Sequence, residues 1–367
     1  MKIVGLIVEY NPFHNGHMHH LNEAKRLSDN GLVIAVTTTY FSMRGEVCVI
    51  DKYQKTKLAL EAGIDILIEL PYLLGTQNAD IFAFNAVQLL AKMGVDTIVA
   101  GSECNDIQII KKIHAIEKNQ EFQNEIKKYL SDGLSYRRSF SLALEKFGMI
   151  ELLANDLLNL KYYDAIQKLG SLIELKLIKR INNNYHDQTI NATSIQSATA
   201  LRKLLDIQKY VPHWSNRIYA ERQFMNINSF VDIYNHLVIT NDLSKLWQAT
   251  EGIHNRFTPT DSLEELIGKL TSKRYTTSRI TRFISYILTN TTTDDLVFED
   301  NYPIRILGFN TSGQEYLNSI KKRVNFFTRL INGIHPIYDF ELKIAKIFSN
   351  VFKENFIVIE QKLPYRK

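Results

Sequence analysis

The chain has very little cysteine and no segment that suits a membrane span or a signal peptide. Its 367 residues include only Cys48 and Cys104, so disulfides cannot form its framework and reduced thiols are expected. The apolar run after Lys2 is too short for a signal peptide or a membrane span. The chain also lacks internal repeats and low-complexity linkers. The sequence therefore predicts a cytoplasmic protein without membrane association.

Neither sign of charge dominates the composition. Lys and Arg total 44 and Asp and Glu total 39, which gives a formal net charge of +5. This small excess permits a polyanionic partner without requiring one. With 45% hydrophobic and 23% charged residues, the chain has the composition of a globular protein, and its length indicates about two domains.

The first half of the chain alternates strand patterns with helical patterns. Apolar runs rich in Ile and Val predict buried strands at residues 2–10, 32–39, 65–70, 96–101 and 172–181. This alternation predicts an α/β fold with a Rossmann-like, doubly wound parallel sheet. Later segments are mostly helical in pattern. We therefore predict an α/β domain at residues 1–205 and a mainly α-helical domain at residues 206–367.

The stretch VEYNPFHNGHMHH, residues 8–20, follows the first predicted strand and opens the first helix. Ligands bind beyond the carboxyl ends of such strands, and free N–H groups at a helix start favour phosphate. Gly16 allows close approach of the backbone to a ligand. His14 and His17 can donate hydrogen bonds to phosphate and stabilise the charge of departing pyrophosphate. His-x-Gly-His is the pattern of HIGH-type nucleotidyltransferases. In their reaction a nucleophile attacks the α-phosphate of ATP.

Two other interpretations of the histidines remain open at this point. His14, His17, His19 and His20 could bind zinc, but their spacing matches no standard ligand set and no cysteine is near, so we predict no metal site in the protein. The stretch could also be a structural turn. His19 and His20 are expected on the helix surface.

A second motif, SATALR at residues 197–202, strengthens the nucleotide interpretation. Ser197, Thr199 and Arg202 fit the Ser-x-Thr-x-x-Arg pattern that faces the triphosphate in this superfamily. Hydroxyl groups and a helix start supply donors, and a guanidinium can bind phosphate through two hydrogen bonds. Taken alone, the motif would also fit a capped helix with an exposed arginine.

Seven motifs in order resemble the bacterial tRNA(Met) cytidine acetate ligases over nearly the whole chain. They are VEYNPFHNGH, RGE (44–46), LIELP (67–71), AGSE (100–103), IKRI (178–181), SATALR and KRYTTSRITR (273–282). The resemblance implies a ligase that makes acetyl-adenylate from ATP and acetate. The acetyl group then passes to N4 of the wobble cytidine of elongator tRNA(Met). Mg²⁺ is expected to accompany ATP, and no stable protein partner is predicted.

The resemblance also implies site residues. His14, His17 and Arg202 are the expected catalytic residues. The residues expected to bind ATP are Ile7, Val8, Glu9, Tyr10, Asn11, Pro12, Phe13, His14, Asn15, Gly16, His17, Met18, His19, His20, Gly101, Asn155, Arg180, Ser197 and Thr199.

The sequence departs from the family pattern in two places. AND (154–156) replaces PNN, and Asn159 stands where glycine is usual. Tyr40 and Met43 stand where asparagine and glutamine are common.

The helical half carries a candidate surface for tRNA. No acidic residue occurs from residue 266 through 293. RNA loops are bound by basic side chains and aromatic stacking, although most basic runs are solvated helix faces. The predicted tRNA-binding residues are Lys273, Arg274, Tyr275, Arg279 and Arg282.

Two rival functions fit the same motifs less well. A small-metabolite adenylyltransferase that releases pyrophosphate has the same two motifs but no need of so large a helical half. A non-catalytic RNA-binding relative has no need of intact His14, His17, Thr199 and Arg202.

Overall fold

The computed structural model describes residues 1–180, 197–202, 204, 207–220, 224–296 and 301–367. In these ranges the strands are β1 Ile3–Val8, β2 Leu32–Thr37, β3 Ile66–Glu69, β4 Thr97–Ser102, β5 Glu174–Lys179, β6 Ile304–Phe309, β7 Phe326–Phe327 and β8 Tyr365–Arg366. The helices of the first 202 residues are α1 Asn15–Ser28, α2 Lys52–Ala62, α3 Tyr72–Gly75, α4 Ala79–Lys92, α5 Ile107–Glu117, α6 Gln120–Ser131, α7 Tyr136–Lys146, α8 Ala154–Lys168 and α9 Ala198–Leu201.

The helices of the second half are α10 Asn216–Ala220, α11 Val231–Thr240, α12 Leu263–Leu270, α13 Thr277–Thr289, α14 Thr311–Ile320, α15 Pro336–Phe352 and α16 Phe356–Gln361. Short 3₁₀ turns occur between them. Among the described residues, no helix has the length and apolar character that crossing a membrane requires.

The sheet confirms the fold class and the five predicted strands. Its order is β5-β4-β1-β2-β3-β6-β7, with β8 beside β6, and β1 to β5 are parallel. Ile3 pairs with Leu32 in the register of β1 and β2. Chain order reverses between β1 and β4, so the switch point of the sheet, where such folds bind ligands, lies at the carboxyl ends of these two strands.

Helices cover both faces of the sheet because side chains alternate along each strand. On β1, Val4, Leu6 and Val8 pack with α1 and α2. Ile3 and Ile7 lie on the other face, against the core that α4 and α8 complete. An odd or even residue number therefore indicates the face of the sheet on which a side chain just beyond β1 lies.

The second half of the chain extends the same sheet, which its mostly helical pattern did not predict. β6 pairs antiparallel with β3 and parallel with β8. The predicted domain boundary at residues 205–206 lies outside the described residues, so the division into two domains stays a prediction.

A buried ionic cluster joins the two halves. Lys52 at the start of α2 contacts Glu69 of β3 at 2.5 Å, Glu341 of α15 at 3.3 Å and Glu360 of α16 at 2.6 Å. Arg305 of β6 bonds Glu69 at 2.9 Å and also pairs with Glu360. All five side chains are at most 3% exposed. We call these residues the ionic cluster.

Tyr40, one of the departures from the family pattern, belongs to this interior rather than to a surface loop. Its hydroxyl donates to Glu360, and the Lys52 ammonium lies 4.5 Å from its ring centre. The side chain is 2% exposed. The tyrosine therefore serves packing and charge pairing beneath the loop after β2.

Candidate functional site

One pocket at the switch point collects most of the predicted nucleotide residues from five parts of the chain. The members of its wall that the sequence predicted are Ile7, Val8, Glu9, Tyr10, Asn11, His14, Gly16, His17, His19, His20, Gly101, Asn155, Arg180, Ser197, Thr199 and Arg202. Pro12, Phe13, Asn15 and Met18 lie outside this wall. Phe13 is fully buried and Met18 packs against the same core, so both side chains support the loop from below.

Two histidines cap the start of α1. His14 is the N-cap residue, and its Nδ1 accepts a hydrogen bond from the Gly16 N–H at 3.0 Å. The Nδ1 of His17 accepts from the N–H of His14 at 3.3 Å. Their rings stack with centres 3.7 Å apart. The pair therefore satisfies orphan donors of the helix start, as a capping box does.

These contacts also determine where each imidazole carries its proton. A nitrogen that accepts a hydrogen bond has no proton, so both neutral rings hold theirs at Nε2. Burial, with the nearby Arg180 charge, lowers the pKa of His14 to about 3. Burial also lowers the pKa of His17 well below its usual value, and His14 adds to this effect. At neutral pH both histidines are thus uncharged Nε2–H donors in the pocket wall.

His20 is not a plain helix-surface residue, so that expectation was wrong. Its Nε2–H donates to the Val99 carbonyl of β4 at 2.9 Å, and its ring lines the pocket. Burial lowers its pKa to about 4, although the bond to Val99 acts in the opposite direction. His20 ties α1 to the neighbouring strand at the switch point.

We expect acid to destabilise the protein through these histidines. Unfolded histidine titrates near 6.5, whereas His14 and His20 titrate at about 3 and about 4 when folded. Below pH 6.5 the unfolded chain therefore binds more protons, and the free energy of unfolding falls. The expected loss is up to about 1.4 kcal/mol per pH unit for each histidine.

Urea denaturation at pH 7 and pH 5 measures this loss. The His20→Asn variant should show a smaller difference between the two pH values than the unchanged protein. An equal difference would contradict the neutral, buried state of His20.

Arg180, directly after β5, lies across the end of β4. A Cβ on Gly101 would stand 3.2 Å from the Arg180 Cγ, so glycine allows the arginine to lie flat there. Arg180 donates to the Asn155 Oδ1 at 3.0 Å, and Asn155 in turn donates to Glu103. Gly101, Asn155 and Arg180, which the resemblance assigned to ATP binding, thus form one connected wall.

The departures at Asp156 and Asn159 stabilise the same wall. Asp156 accepts hydrogen bonds from the Ser102 hydroxyl and, at 2.8 Å, from the Cys104 N–H. Asn159 donates to the Gly101 carbonyl at 3.0 Å. Both side chains are about 1% exposed. They hold the loop after β4 in place, a role that the sequence reasoning missed because the partners are more than fifty positions away.

Arg202 reaches the pocket but is already paired. It donates to the Asn11 carbonyl at 2.7 Å and to Glu46 Oε1 at 2.6 Å, with Thr199 3.3 Å away. Ser197 caps α9 by accepting from the Ala200 N–H. The predicted SATALR residues therefore meet the opening loop, and the RGE motif enters the site through Glu46.

Another part of the pocket lining comes from the end of β1, the loop after β2, α4 and α8. We call this part the α8 wall. Its residues are Ile7, Glu9, Met43, Phe82, Leu158 and Tyr162. Apart from Glu9 and the Tyr162 hydroxyl, its side chains are apolar. Met43, a departure from the family pattern, occupies this wall and donates its N–H to Glu9 Oε1 at 2.5 Å.

The described residues do not favour a metal centre built from protein ligands. Among them, no three His, Cys, Asp or Glu side chains group closely enough to hold a metal ion. The zinc interpretation of the opening histidines also conflicts with the bonds that occupy His14 Nδ1, His17 Nδ1 and His20 Nε2.

Helix α13 meets the mouth of the pocket. Gly45 has φ +79°, and a Cβ there would lie 2.5 Å from the Cα of Arg282. Arg44 and Glu46, on either side of Gly45, line the pocket. Burial lowers the pKa of Arg282, and the charges of Arg279 and Arg44 add to this effect. The predicted basic surface thus begins beside the pocket.

The remaining predicted tRNA residues surround Tyr275. Lys273 and Arg274 are exposed. The guanidinium groups of Arg274 and Arg279 lie 5.8 Å and 5.1 Å from the Tyr275 ring centre. Tyr275 itself is 2% exposed and donates to the Glu251 carbonyl at 2.6 Å. Its ring supports the arginines and is not available for stacking on a base in this conformation.

An acidic residue joins this surface from another part of the chain. Glu251 pairs with Arg279 at 2.7 Å and with Arg274 at 3.6 Å. The acid-free window of residues 266–293 did not predict it, because only folding places residue 251 there.

Comparisons with known proteins show the family of the chain. The family model described as HIGH Nucleotidyl Transferase matches residues 1–361. The tRNA(Met) cytidine acetate ligase of Caldicellulosiruptor saccharolyticus is 35% identical over 380 residues, covering 96% of this chain and 95% of that protein. The protein of the same name from Fusobacterium nucleatum is 38% identical over 354 residues, covering 90% of this chain and 88% of that protein.

Solved structures show the same fold. The crystal structure of Thermotoga maritima TmcAL bound with alpha-thio ATP aligns with a TM-score of 0.85 and 27% identity, over 100% of both chains. The apo form I of the same protein aligns with a TM-score of 0.88.

Proposed function

The chain belongs to the HIGH nucleotidyl transferase family and, within it, to the tRNA(Met) cytidine acetate ligases, and from this premise we propose how its residues perform that reaction. It is an ATP-dependent, tRNA-modifying ligase. In the first step acetate and ATP give acetyl-adenylate and pyrophosphate. In the second step the acetyl group passes to N4 of the wobble cytidine of elongator tRNA(Met), and AMP leaves. Since the substrate is a tRNA, we place the reaction in the cytoplasm.

The observation that carries the first step is the double histidine cap at the start of α1. His14 and His17 are neutral Nε2–H donors at the start of α1, where the helix dipole favours an anion. This arrangement binds phosphate and stabilises negative charge that develops on it. Neutral donors also need no counter-charge when the site is empty. We assign the triphosphate to this side of the pocket, with adenosine against Gly101, Asn155 and Arg180.

Acetate needs no activation by a protein base, because its carboxylate oxygen is already the nucleophile. The rate must therefore come from positioning and from stabilising charge on the phosphates. Arg180 and Arg202 supply positive charge in the same pocket as the histidines. We propose that Arg202 exchanges its pairing with Glu46 for phosphate oxygens when ATP binds.

Mg²⁺ is a natural companion of ATP. The described residues do not offer a ligand set for it, so we propose that the phosphate oxygens of ATP hold the ion. The roles given to the histidines and arginines do not depend on it.

We propose that tRNA binds along α13 and enters the pocket beside Arg44. Lys273, Arg274 and Arg279 lie along a surface that Gly45 connects to the pocket. Phosphate contacts of this kind release counterions, so binding weakens as salt rises.

Replacing Lys273 and Arg274 by alanine is expected to weaken tRNA binding and to lower the slope of log affinity against log salt by roughly 1 to 2 units. Filter binding across a salt series measures both quantities. Lys111 and Lys112, exposed on α5, give a matched double-alanine control. Equal losses in the two variants would assign the effect to net charge alone.

Mass spectrometry of tRNA nucleosides tests the function. Enzyme, ATP and isotope-labelled acetate are expected to place the label in N4-acetylcytidine of tRNA(Met). Pyrophosphate release that needs no acetate would instead identify an adenylyltransferase with another substrate.

A further inference from the structure

We propose that the α8 wall is the subsite for the acceptor cytosine, and that the Glu9 carboxylate there takes the proton that N4 loses. This inference rests on the proposed function and adds a residue to its second step. The resemblance includes Glu9 in the nucleotide-binding loop. The structure places its side chain in the pocket lining, where it accepts from the Met43 N–H.

The alternation of side chains along β1 determines the face of the sheet on which Glu9 lies. Ile3 and Ile7 face the core that α4 and α8 complete, and residue 9 continues this odd-numbered series beyond the strand. Accordingly, Glu9 bonds the Met43 N–H and lines the pocket with Phe82 and Tyr162. His14 caps α1 and His17 lies in its first turn, and α1 packs on the other face of the sheet.

Glu9 keeps an open acceptor. Its Oε1 accepts from Met43 at 2.5 Å. Within the described part of the chain, its Oε2 takes no hydrogen bond and neither oxygen forms an ion pair. A partly buried carboxylate that has no cation at contact distance costs free energy in its ionised form. A ligand that donates a hydrogen bond to it offsets this cost.

The charge of this group identifies the kind of ligand. Acetate and triphosphate are anions, and both would be repelled by a carboxylate in the same pocket. An exocyclic amine is a hydrogen-bond donor, and the N4 amine of cytosine is the group that Glu and Asp accept from in nucleic-acid recognition. The α8 wall therefore suits the acceptor base and not the acid that is activated.

The second step also requires a proton acceptor. The N4 nitrogen forms a bond to the acetyl carbon of acetyl-adenylate, and the bond from that carbon to the phosphate oxygen breaks as AMP leaves. N4 begins with two protons and ends with one, and the other passes to Glu9. Burial raises the pKa of Glu9 above its ordinary value, although the bond from Met43 acts against this. A carboxylate made more basic is a better acceptor.

Tyr162 completes the match to cytosine. The residue is 4% exposed, and its hydroxyl has no hydrogen-bond partner among the described residues. A phenol can donate to the ring nitrogen N3 of cytosine while Glu9 accepts from N4. Uracil presents the opposite pattern, with an oxygen at position 4 facing the carboxylate. Phe82, Leu158 and Met43 supply apolar surface for the faces of a flat base.

The base has a route to this wall. Arg44 lines the pocket one residue after Met43, and Gly45 packs on Arg282 of α13. A tRNA loop held on the basic surface of α13 thus lies next to the α8 wall, and an unstacked wobble base has only to turn into the pocket.

The Glu9→Gln variant tests the proposal through two assays on the same enzyme. Acetate-dependent ATP–pyrophosphate exchange without tRNA reports the first step. Acetyl transfer from preformed acetyl-adenylate to tRNA(Met) reports the second. The variant is expected to lose about 100-fold or more in transfer relative to exchange, in the range of general-base contributions. Equal losses in both assays, or none in transfer, would overturn the proposal.

Glu46→Gln is the matched control, because it removes the same charge from the same pocket on the side of Arg202. Its two activities are expected to fall together. A selective loss of transfer in this variant would show that any lost carboxylate has the effect ascribed to Glu9.

Tyr162→Phe keeps the proposal testable if Glu9→Gln does not fold. The KM for tRNA in transfer is expected to rise about tenfold relative to that of the unchanged enzyme, as for a lost hydrogen bond in a buried site. An unaltered KM would exclude the cytosine subsite. If the unchanged enzyme forms acetyl-adenylate but acetylates no tRNA, the proposed function itself fails.

Discussion

Replacing His14 by asparagine is expected to lower acetate-dependent ATP–pyrophosphate exchange about 100- to 1000-fold while α1 keeps its cap. Asparagine is a good N-cap residue, and its Oδ1 can accept from the Gly16 N–H that His14 Nδ1 now binds at 3.0 Å. Asparagine has no hydrogen-bond donor at the position that Nε2 occupies in His14. The substitution therefore separates the structural role of His14 from its role toward phosphate.

Thermal unfolding and the exchange assay, made on the same preparations, measure the two roles. His236→Asn is the control, because His236 is an exposed histidine of α11. His14→Asn with nearly normal exchange would contradict the catalytic assignment. His14→Asn with a large fall in unfolding temperature would show that the cap cannot be replaced in this way.

The double variant His14→Asn, His17→Ala extends the same test. The rings stack at 3.7 Å and share one helix start. Groups that act as a unit are not additive. The double variant is thus expected to lose little more activity than the worse single variant.

Replacing Arg305 by methionine is expected to destabilise the protein by about 3–5 kcal/mol, the usual cost of removing one partner of a buried ion pair. Arg305 bonds Glu69 and Glu360 in the ionic cluster and donates to the Glu360 carbonyl at 2.8 Å. Without it, three carboxylates share Lys52 alone. Their charge cannot be hydrated, because the cluster is buried.

Urea denaturation at neutral pH measures this loss. Lys367→Met removes a pair with Glu61 at 3.5 Å whose side chains are 41% and 35% exposed. Such a pair contributes at most about 1 kcal/mol. Equal losses of unfolding free energy in Arg305→Met and Lys367→Met would contradict the conclusion that burial makes the Arg305 pairs more important than an exposed pair.

The destabilisation by Arg305→Met should shrink at acid pH. Burial already raises the pKa of Glu341, whereas Arg305 and Lys52 hold the pKa of Glu69 low against the effect of burial. Loss of the guanidinium removes part of what keeps Glu69 ionised. Protonation then replaces the missing cation, so the difference in unfolding free energy from the unchanged protein narrows as pH falls.

The strands and the opening site could be predicted because their signals are local. Continuous Ile and Val runs predicted β1 to β5, and the structure confirms all five. The histidine stretch was correctly placed after β1 and at the start of α1. β6 was not predicted, because a single short strand among helical patterns lacks the repeated strand–helix alternation that identified β1 to β5.

Contacts between distant residues could not be predicted in the same way. Glu251 enters a surface that its neighbours in sequence describe as free of acid. Asn159 supports Gly101 across 58 positions. Glu9 was assigned to ATP binding with the rest of its motif. Only the alternation of side chains along β1 and the position of α8 place it beside Phe82 and Tyr162 in the pocket lining.

The amino-acid sequence by itself determined the α/β class, the five parallel strands, the helix start at the opening histidines and the family to which the chain belongs. These features depend on side-chain periodicity and on motifs whose residues are adjacent in sequence. They can therefore be predicted without knowledge of the tertiary structure. The tertiary structure alone decided which polar groups meet: the ionic cluster, the pairing of Arg202 with Glu46 and the bond from the Met43 N–H to Glu9. Burial and Coulomb energy depend on distance in space, and residues far apart in sequence acquire that distance only when the sheet and its helices close around them.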